Sequence, residues 1–273
     1  MTPIISLIIS IYNKVDFLKL VLDSLEFQSL KNFEVILSDD GSNEESLAEL
    51  KKLVKLYSFM IKHEWHIDDG WNKNAILNKS IIACESSYIV FIDGDCVLHS
   101  HFLEEHYLGK STNTLLTGRR INLSKKISNN ITSKSIKNGY LSSEIFLESL
   151  WDSIWSGSRD VEQGIYVKSE LVRRFLNRKD KGVLGSNFSI SKQNLLEVNG
   201  FDERFNFPAA GEDTDLEARL RRKGIKIKSV RNQAIQYHLF HKQLERNKER
   251  LIYLDENNAN KITYTHFGIN KSL

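Results

Sequence analysis

The segment Phe91-Ile92-Asp93-Gly94-Asp95-Cys96 sets two carboxylates one residue apart at the end of the apolar run "YIVFI". Such a run reads as a buried strand, and two like charges at its tip repel unless a cation or a hydrogen-bonded ligand offsets them. Gly94 lets the backbone turn sharply there and leaves room for a bulky group to approach. Hard oxygen donors suit Mg2+ or Mn2+, and Mg2+ keeps coordination positions for substrate phosphates. The spacing points to a metal that carries a diphosphate; on its own it leaves a plain turn open. Two more acidic clusters stand elsewhere, "SDDGS" with Asp39 and Asp40 and "GEDTD" with Glu212, Asp213 and Asp215. His238 and His241, three residues apart in "YHLFH", offer neutral imidazoles that ligate Mn2+ well.

The elements that must position these groups follow from periodicity. "ISLIISI" (residues 5–11) and "SYIVFI" (87–92) are unbroken apolar runs expected for strands buried on both faces. "FEVILSDDGS" (33–42) is a strand ending in a polar turn, and a short strand is expected near "SFMIKHEW". Residues 15–28 place Phe17, Leu18, Val21, Leu22 and Leu25 on one helical face. A second helix over 44–57 can be capped by Ser42 or Asn43, and a third covers 72–84. Strand and helix in alternation mean an α/β fold with a mainly parallel sheet flanked by helices, which binds ligands beyond the carboxyl ends of its strands. The clusters "YNK", "DDGS" and "DGD" all fall there. Residues 124–182 break the pattern as a helical excursion, with Phe146, Leu147, Leu150, Trp151, Ile154 and Trp155 at helical spacing. Tryptophans so spaced read as core.

A chain of 273 residues with only two prolines has room for one large α/β domain or two small ones, without long disordered linkers. A net charge of +3 is too small to imply nucleic acid. The positive residues gather in "RLRRKGIKIKSVR" (219–231) and "HKQLERNKER" (241–250), which suit a solvated helix face or a contact with phosphates or an anionic membrane. Two cysteines, neither in a CxxC pair, fit a reduced cytosol. "MTPIISLIISIYNK" reads as a first strand and not a signal peptide, and no segment approaches the ~18 apolar residues that span a bilayer.

In order, "SLIISIYNK", "VILSDDGS", "GWNKNAILNKSI", "YIVFIDGDC" and "GSNFSISKQNLLEVNGFDERFNFPAAGEDTDLEARLRRKG" resemble the nucleotide-sugar glycosyltransferases of inverting family 2, which have the GT-A fold. The likeness covers most of residues 4–120 and 183–241, and its second half is also similar to β-1,4-galactosyltransferases and chondroitin-polymerase-type enzymes. It implies one GT-A domain over 1–273, with a nucleotide-sugar-binding half (1–123), a helical insertion (124–182), an acceptor and catalytic half (183–241) and a C-terminal tail (242–273). It also implies that Ile11 and Tyr12 line the nucleotide base and that Asp40 accepts the uracil N3–H. Lys73 would lie near the diphosphate. Asp93, beside Gly94, would face the ribose or the metal shell, and Asp95 would bind the metal. Asp213 takes the position of the general base that deprotonates the acceptor hydroxyl, with Glu212 holding the acceptor or raising the pKa of that base. Asp215 is assigned to structure. His238 and His241 match metal-ligand positions, His238 the favoured one. Plain alternatives stand beside these: Asp40 complementing a helix dipole, Lys73 on the surface, and the "GEDTD" acids capping a helix and pairing with Arg219, Arg221 and Arg222. Before the base the galactosyltransferases have a tryptophan-rich segment; here it is "FNFPAAGED", with Phe207 left to offer a flat face, so donor and acceptor identity do not transfer.

The implied activity is transfer of a hexose or N-acetylhexosamine from a UDP-sugar to an acceptor hydroxyl, with Mn2+ or Mg2+. The implied acceptor is a glycan or lipid-linked glycan in surface-polysaccharide assembly. The setting is cytoplasmic, peripheral at the inner face of the membrane, with no nucleic-acid partner. Two rivals use the same acids: a two-metal phosphohydrolase, and a non-catalytic nucleotide-sugar-binding module. Each version of the transferase reading requires Asp40, Asp95 and Asp213 to open into one shared hollow.

Overall fold

The apolar runs form the strands they suggest, and their order sets the architecture. β1 (Ile5–Ile11), β2 (Phe33–Asp39), β3 (Met60–Trp65) and β4 (Tyr88–Asp93) run parallel. They are followed by β5 (Cys96–Leu98), β6 (Thr114–Thr117), β7 (Arg119–Asn122), β8 (Asn187–Ser191), β9 (Lys226–Ser229) and β10 (Ile235–His238). The computed structural model describes residues 2–155, 157–176, 182–208, 211–242 and 252–271. The basic segment 241–250 lies outside the described residues from 243 onward, as do Ala209 and Ala210 of the acidic turn, residues 177–181 of the excursion and part of the 242–273 tail.

Among the described residues, a seven-stranded sheet has the order β3-β2-β1-β4-β8-β6-β9, and β8 alone in it runs antiparallel to its neighbours. A second, three-stranded sheet has the order β5-β10-β7. The main sheet is covered on both faces, which is why β1 shows no polar alternation. Ile5, Leu7 and Ile9 pack with Leu18 and Leu22 of the helix Val15–Leu25. Ile8 points the other way, toward Leu77 and Ile81 of the helix Lys73–Ala83 and Leu216 and Leu220 of the helix Glu212–Arg222. Asn43 caps the helix Glu44–Leu53 by accepting the Ser46 N–H at 2.9 Å. Ser42 is used differently: its hydroxyl accepts the Asn13 N–H at 2.8 Å and ties the turn after β2 to the turn after β1.

The excursion forms the helices Lys125–Asn130, Ser133–Lys137, Glu144–Ile154 and Glu170–Leu176. Trp151 and Trp155 are not core residues; they are 68% and 83% exposed. Periodicity finds a helix face but not which face is outermost, and here Ile145 and Ser149 are turned inward instead.

Asp215 is structural, as expected. Its Oδ2 accepts from Arg219 Nε at 2.8 Å and its Oδ1 from the Asn257 amide at 2.8 Å, while Arg219 also donates to the Val198 and Gly200 carbonyls at 2.8 Å. Both charges are sealed from water. Removing one leaves the other buried and uncompensated, so Arg219→Ala is expected to lower unfolding stability by about 3–5 kcal/mol. Urea denaturation followed by circular dichroism measures it, with the loss seen as a lower midpoint at an unchanged slope.

Candidate active site

Register brings the three polar strand ends together. Ser10 of β1 lies opposite Asp93 of β4, and Ile11 opposite Asp39 of β2, so the chain leaves all three strands at one edge. Beyond that edge lies a hollow of about 550 Å³, and Ile11, Tyr12, Asp40, Lys73, Asp93, Gly94, Asp95, Glu212, Asp213, His238 and His241 all line it. Asp40, Asp95 and Asp213 therefore share one space, as the transferase reading requires.

The two acids after β2 divide their tasks. Asp39 is fully buried, held by His63 Nε2 at 2.9 Å and the Ser42 N–H at 2.9 Å. Asp40 reaches the hollow, meeting His66 Nε2 at 2.9 Å and accepting the Asn72 N–H at 3.2 Å on each oxygen. Burial pushes its pKa upward against those partners. Tyr12 is half exposed and donates its hydroxyl to Asp68 at 3.0 Å.

The carboxylates of Asp93 and Asp95 turn toward different side-chain partners. Asp93 Oδ1 meets Lys73 Nζ at 2.9 Å, and its Oδ2 is 3.6 Å from Arg120. Burial would depress the Lys73 pKa, but Asp93, Glu212 and Asp213 outweigh it and raise it. The Gly94 N–H donates to the Ser10 carbonyl at 2.8 Å, and a Cβ there would sit 2.7 Å from Ile11 Cγ2, so this turn closes only with glycine. Asp95 then emerges on the other side. β10 pairs with β5 so that His238 lies opposite Cys96, one residue from Asp95. Asp95 Oδ2 is 3.0 Å from His241 Nε2 and 3.5 Å from His238 Nε2, and the two imidazole nitrogens are 3.1 Å apart.

This donor set fits a divalent ion. Donors in adjacent positions around an octahedral ion with bonds of about 2.1 Å are separated by about 3 Å, close to the spacings of this triangle. The tautomer agrees. His241 Nδ1 lies 2.9 Å from the Lys242 carbonyl, so it carries the hydrogen and leaves Nε2 aimed at a carboxylate and another ring nitrogen. A second proton or a metal must relieve that contact. Correspondingly, the Asp95 carboxylate pushes His241 upward, and the paired imidazoles hold Asp95 far below the usual carboxylate range despite its burial.

Asp213 sits in the first turn of the helix Glu212–Arg222, across the hollow. Its Oδ2 accepts the Gly185 N–H at 2.8 Å, and a Cβ on Gly185 would lie 2.3 Å from its Oδ1, so only glycine admits the carboxylate there. Surrounding protein desolvates the carboxyl although part of it reaches the hollow. Together with Glu212, and against Lys73 and Gly185, this pushes its pKa up to about 7. Such a group exchanges a proton readily at neutral pH.

Several lining residues carry no sequence motif. Arg120, from the edge strand β7, donates to the Ser186 hydroxyl at 3.3 Å and adds a second cation beside Lys73. Gly185, also in the lining, acts through Asp213, and His66, outside the lining, acts through Asp40. The tandem "GRR" of residues 118–120 after an apolar run was the one available signal for Arg120.

The comparisons with known proteins bear on the family and the fold. A family model described as "Glycosyltransferase like family 2" matches residues 6–263. The chain is 30% identical over 105 residues to the putative glycosyltransferase EpsH of Bacillus subtilis (strain 168), covering 38% of this chain and 29% of that protein. It is 27% identical over 246 residues to chondroitin synthase of Escherichia coli, covering 86% of this chain and 34% of that protein. The chain thus spans about a third of the length of these relatives. A mannosyltransferase from Pyrobaculum calidifontis, PcManGT, in complex with GDP-Man and Mn2+, matches with a TM-score of 0.55 at 12% identity over 89% of this chain and 59% of that one. S. aureus TarS 1-349 in complex with UDP matches with a TM-score of 0.52 at 17% identity, over 85% and 59%. At these identities the likeness speaks for the fold alone, a GT-A α/β sheet that is mainly parallel.

Site-resolved carboxyl NMR is expected to show Asp213 titrating with a midpoint of about 7, and Glu212→Gln to move that midpoint to lower pH. A wild-type midpoint below about 5, within the ordinary range for aspartate, would contradict the environment described for it.

Proposed function

The chain belongs to glycosyltransferase-like family 2, and from that premise we propose that it moves a hexose or N-acetylhexosamine from a UDP-sugar to an acceptor hydroxyl, with inversion at the anomeric carbon. The supporting observation is that one hollow holds a proton acceptor of near-neutral pKa, two cations and a divalent-ion donor set. Asp213 takes the proton from the acceptor hydroxyl as that oxygen attacks the anomeric carbon and the bond to the diphosphate oxygen breaks. Gly185 fixes the orientation of Asp213, and Glu212 keeps its pKa high and holds the acceptor. Lys73 and Arg120 face the diphosphate, with Asp93 setting their positions. Asp40 retains lone pairs for the uracil N3–H beside the hydrogen bonds it already accepts, and Ile11 and Tyr12 flank the base. Asp95, His238 and His241 would hold Mn2+ or Mg2+, which when bound neutralises charge on the departing UDP.

The proposed setting is surface-polysaccharide assembly on a glycan or lipid-linked glycan, in the cytoplasm at the inner face of the membrane; the division of 1–273 into one domain of four parts belongs to the same proposal. Among the described residues no helix is long and apolar enough to cross a membrane. A two-metal hydrolase finds less support, because Lys73 and Arg120 already engage Asp93 and a single cluster suited to a metal stands among the described residues.

Asp213→Asn is expected to cut transfer by roughly a hundred- to ten-thousand-fold while UDP binding, read by thermal shift, survives. For the wild type, kcat/KM should rise with pH through about 7 and then level, because the deprotonated Asp213 is the active form. In thermal-shift screens of UDP-, GDP-, dTDP- and CMP-sugars, the UDP-sugar with Mn2+ should raise the melting temperature most, and His238→Ala with His241→Ala should remove the Mn2+ contribution. A UDP-sugar that shifts nothing with or without Mn2+ would sink the donor assignment.

A further inference from the structure

The helix Glu144–Ile154 turns Ile145 and Ser149 into the protein, and two of its acids are engaged as well: Glu148 accepts from the Tyr140 hydroxyl at 2.6 Å and the Asn130 amide at 3.1 Å. Asp152 accepts from the Ser158 N–H at 2.7 Å and its hydroxyl at 2.8 Å. Most of its apolar residues nonetheless face outward, with Leu147, Leu150, Trp151 and Ile154 exposed by 57%, 41%, 68% and 61%, and Trp155 at its end by 83%. Their spacing of three and four residues sets them on one stripe. A contiguous apolar stripe in water marks a contact surface, and tryptophan is the side chain that favours the boundary between lipid headgroups and hydrocarbon.

Charge selects the occupant. Residues 124–143, which lead into this helix, carry Lys125, Lys126, Lys134 and Lys137, all exposed, and no aspartate or glutamate. Lys126 lies within electrostatic reach of Asp152 on the helix itself. The helix Lys125–Asn130 packs against Glu144–Ile154, so exposed lysines on the segment that leads into the tryptophan-bearing helix can complement anionic headgroups. We infer that this face seats on an anionic lipid bilayer. The inference deepens the membrane setting proposed above and assigns the contact to this helix instead of the basic C-terminal segment. The excursion is fastened to the site: the Leu123 N–H donates to the His238 carbonyl at 3.0 Å and the Phe240 N–H to the Ser128 hydroxyl at 2.8 Å. A membrane under the helix would thus hold a lipid-borne acceptor close to the strand that carries His238.

Flotation of the full chain on vesicles of equimolar phosphatidylglycerol and phosphatidylcholine, against pure phosphatidylcholine, tests this. The wild type should float with the anionic vesicles, and W151S/W155S should partition at least about tenfold more weakly, with an unchanged melting temperature and an unchanged UDP-induced thermal shift. Replacing the four lysines by glutamate should abolish the preference for phosphatidylglycerol. A wild type that stays in solution, or a double variant that floats as the wild type does, overturns the inference. So does a wild-type dimer in sedimentation velocity that W151S/W155S dissociates, since the stripe would then cover a second copy. A UDP shift without flotation defeats the docking surface alone; flotation without a UDP shift defeats the transferase reading alone.

Discussion

Five carboxylates line a hollow walled by protein, Asp40 at the end of β2 and Asp93, Asp95, Glu212 and Asp213 around the rest, and at such range like charges stay ionised only where positive charge or hydrogen-bond donors stand beside them. The structure sorts them by how well that condition is met. Asp93 has Lys73 and Arg120. Asp95 has two imidazoles. Asp213 receives one backbone N–H from Gly185 and only the more distant field of Lys73, so it is the acid that holds a proton into the neutral range. Uneven compensation, more than the number of acids, gives each a separate task.

That sorting depends on the two sheets meeting at a defined place. The parallel strands supply Asp40 and Asp93, while β7 and β10 of the small sheet supply Arg120 and His238. Asn187, at the start of β8, joins them: its amide donates to the Arg119 carbonyl at 2.9 Å and the Ala234 carbonyl at 3.1 Å, and its Oδ1 lies 3.0 Å from His106 Nε2. A polar side chain with every group engaged fixes the relative position of its neighbours more tightly than apolar packing does.

Most of this frame could be read from the chain itself. Strands buried on both faces announce themselves as unbroken apolar runs, and the acids that follow them were placed at the strand ends for that reason. His238 and His241 were legible through their three-residue spacing and the family resemblance. Arg120 was not, because a four-residue edge strand carries too little pattern to say which of two adjacent arginines points inward. The ion pair of Asp93 was not legible either, because a local motif does not reveal the Lys73 that meets it from another helix. Trp151 and Trp155 were misplaced for a similar reason: helical spacing defines a stripe, and what lies against the stripe is a tertiary fact.

The antiparallel strand β8 pairs with β4 across roughly a hundred residues of intervening chain. At about 5–20 residues per second, a ribosome needs about 5–20 s to supply it. Throughout that interval the nascent four-strand half exposes the hydrogen-bonding edge of β4, with Ile89 and Phe91 along it, to any other extended polypeptide nearby. Substitutions in β8 that barely alter the finished protein can therefore lower its yield in the cell, by lengthening the time that this edge stays open.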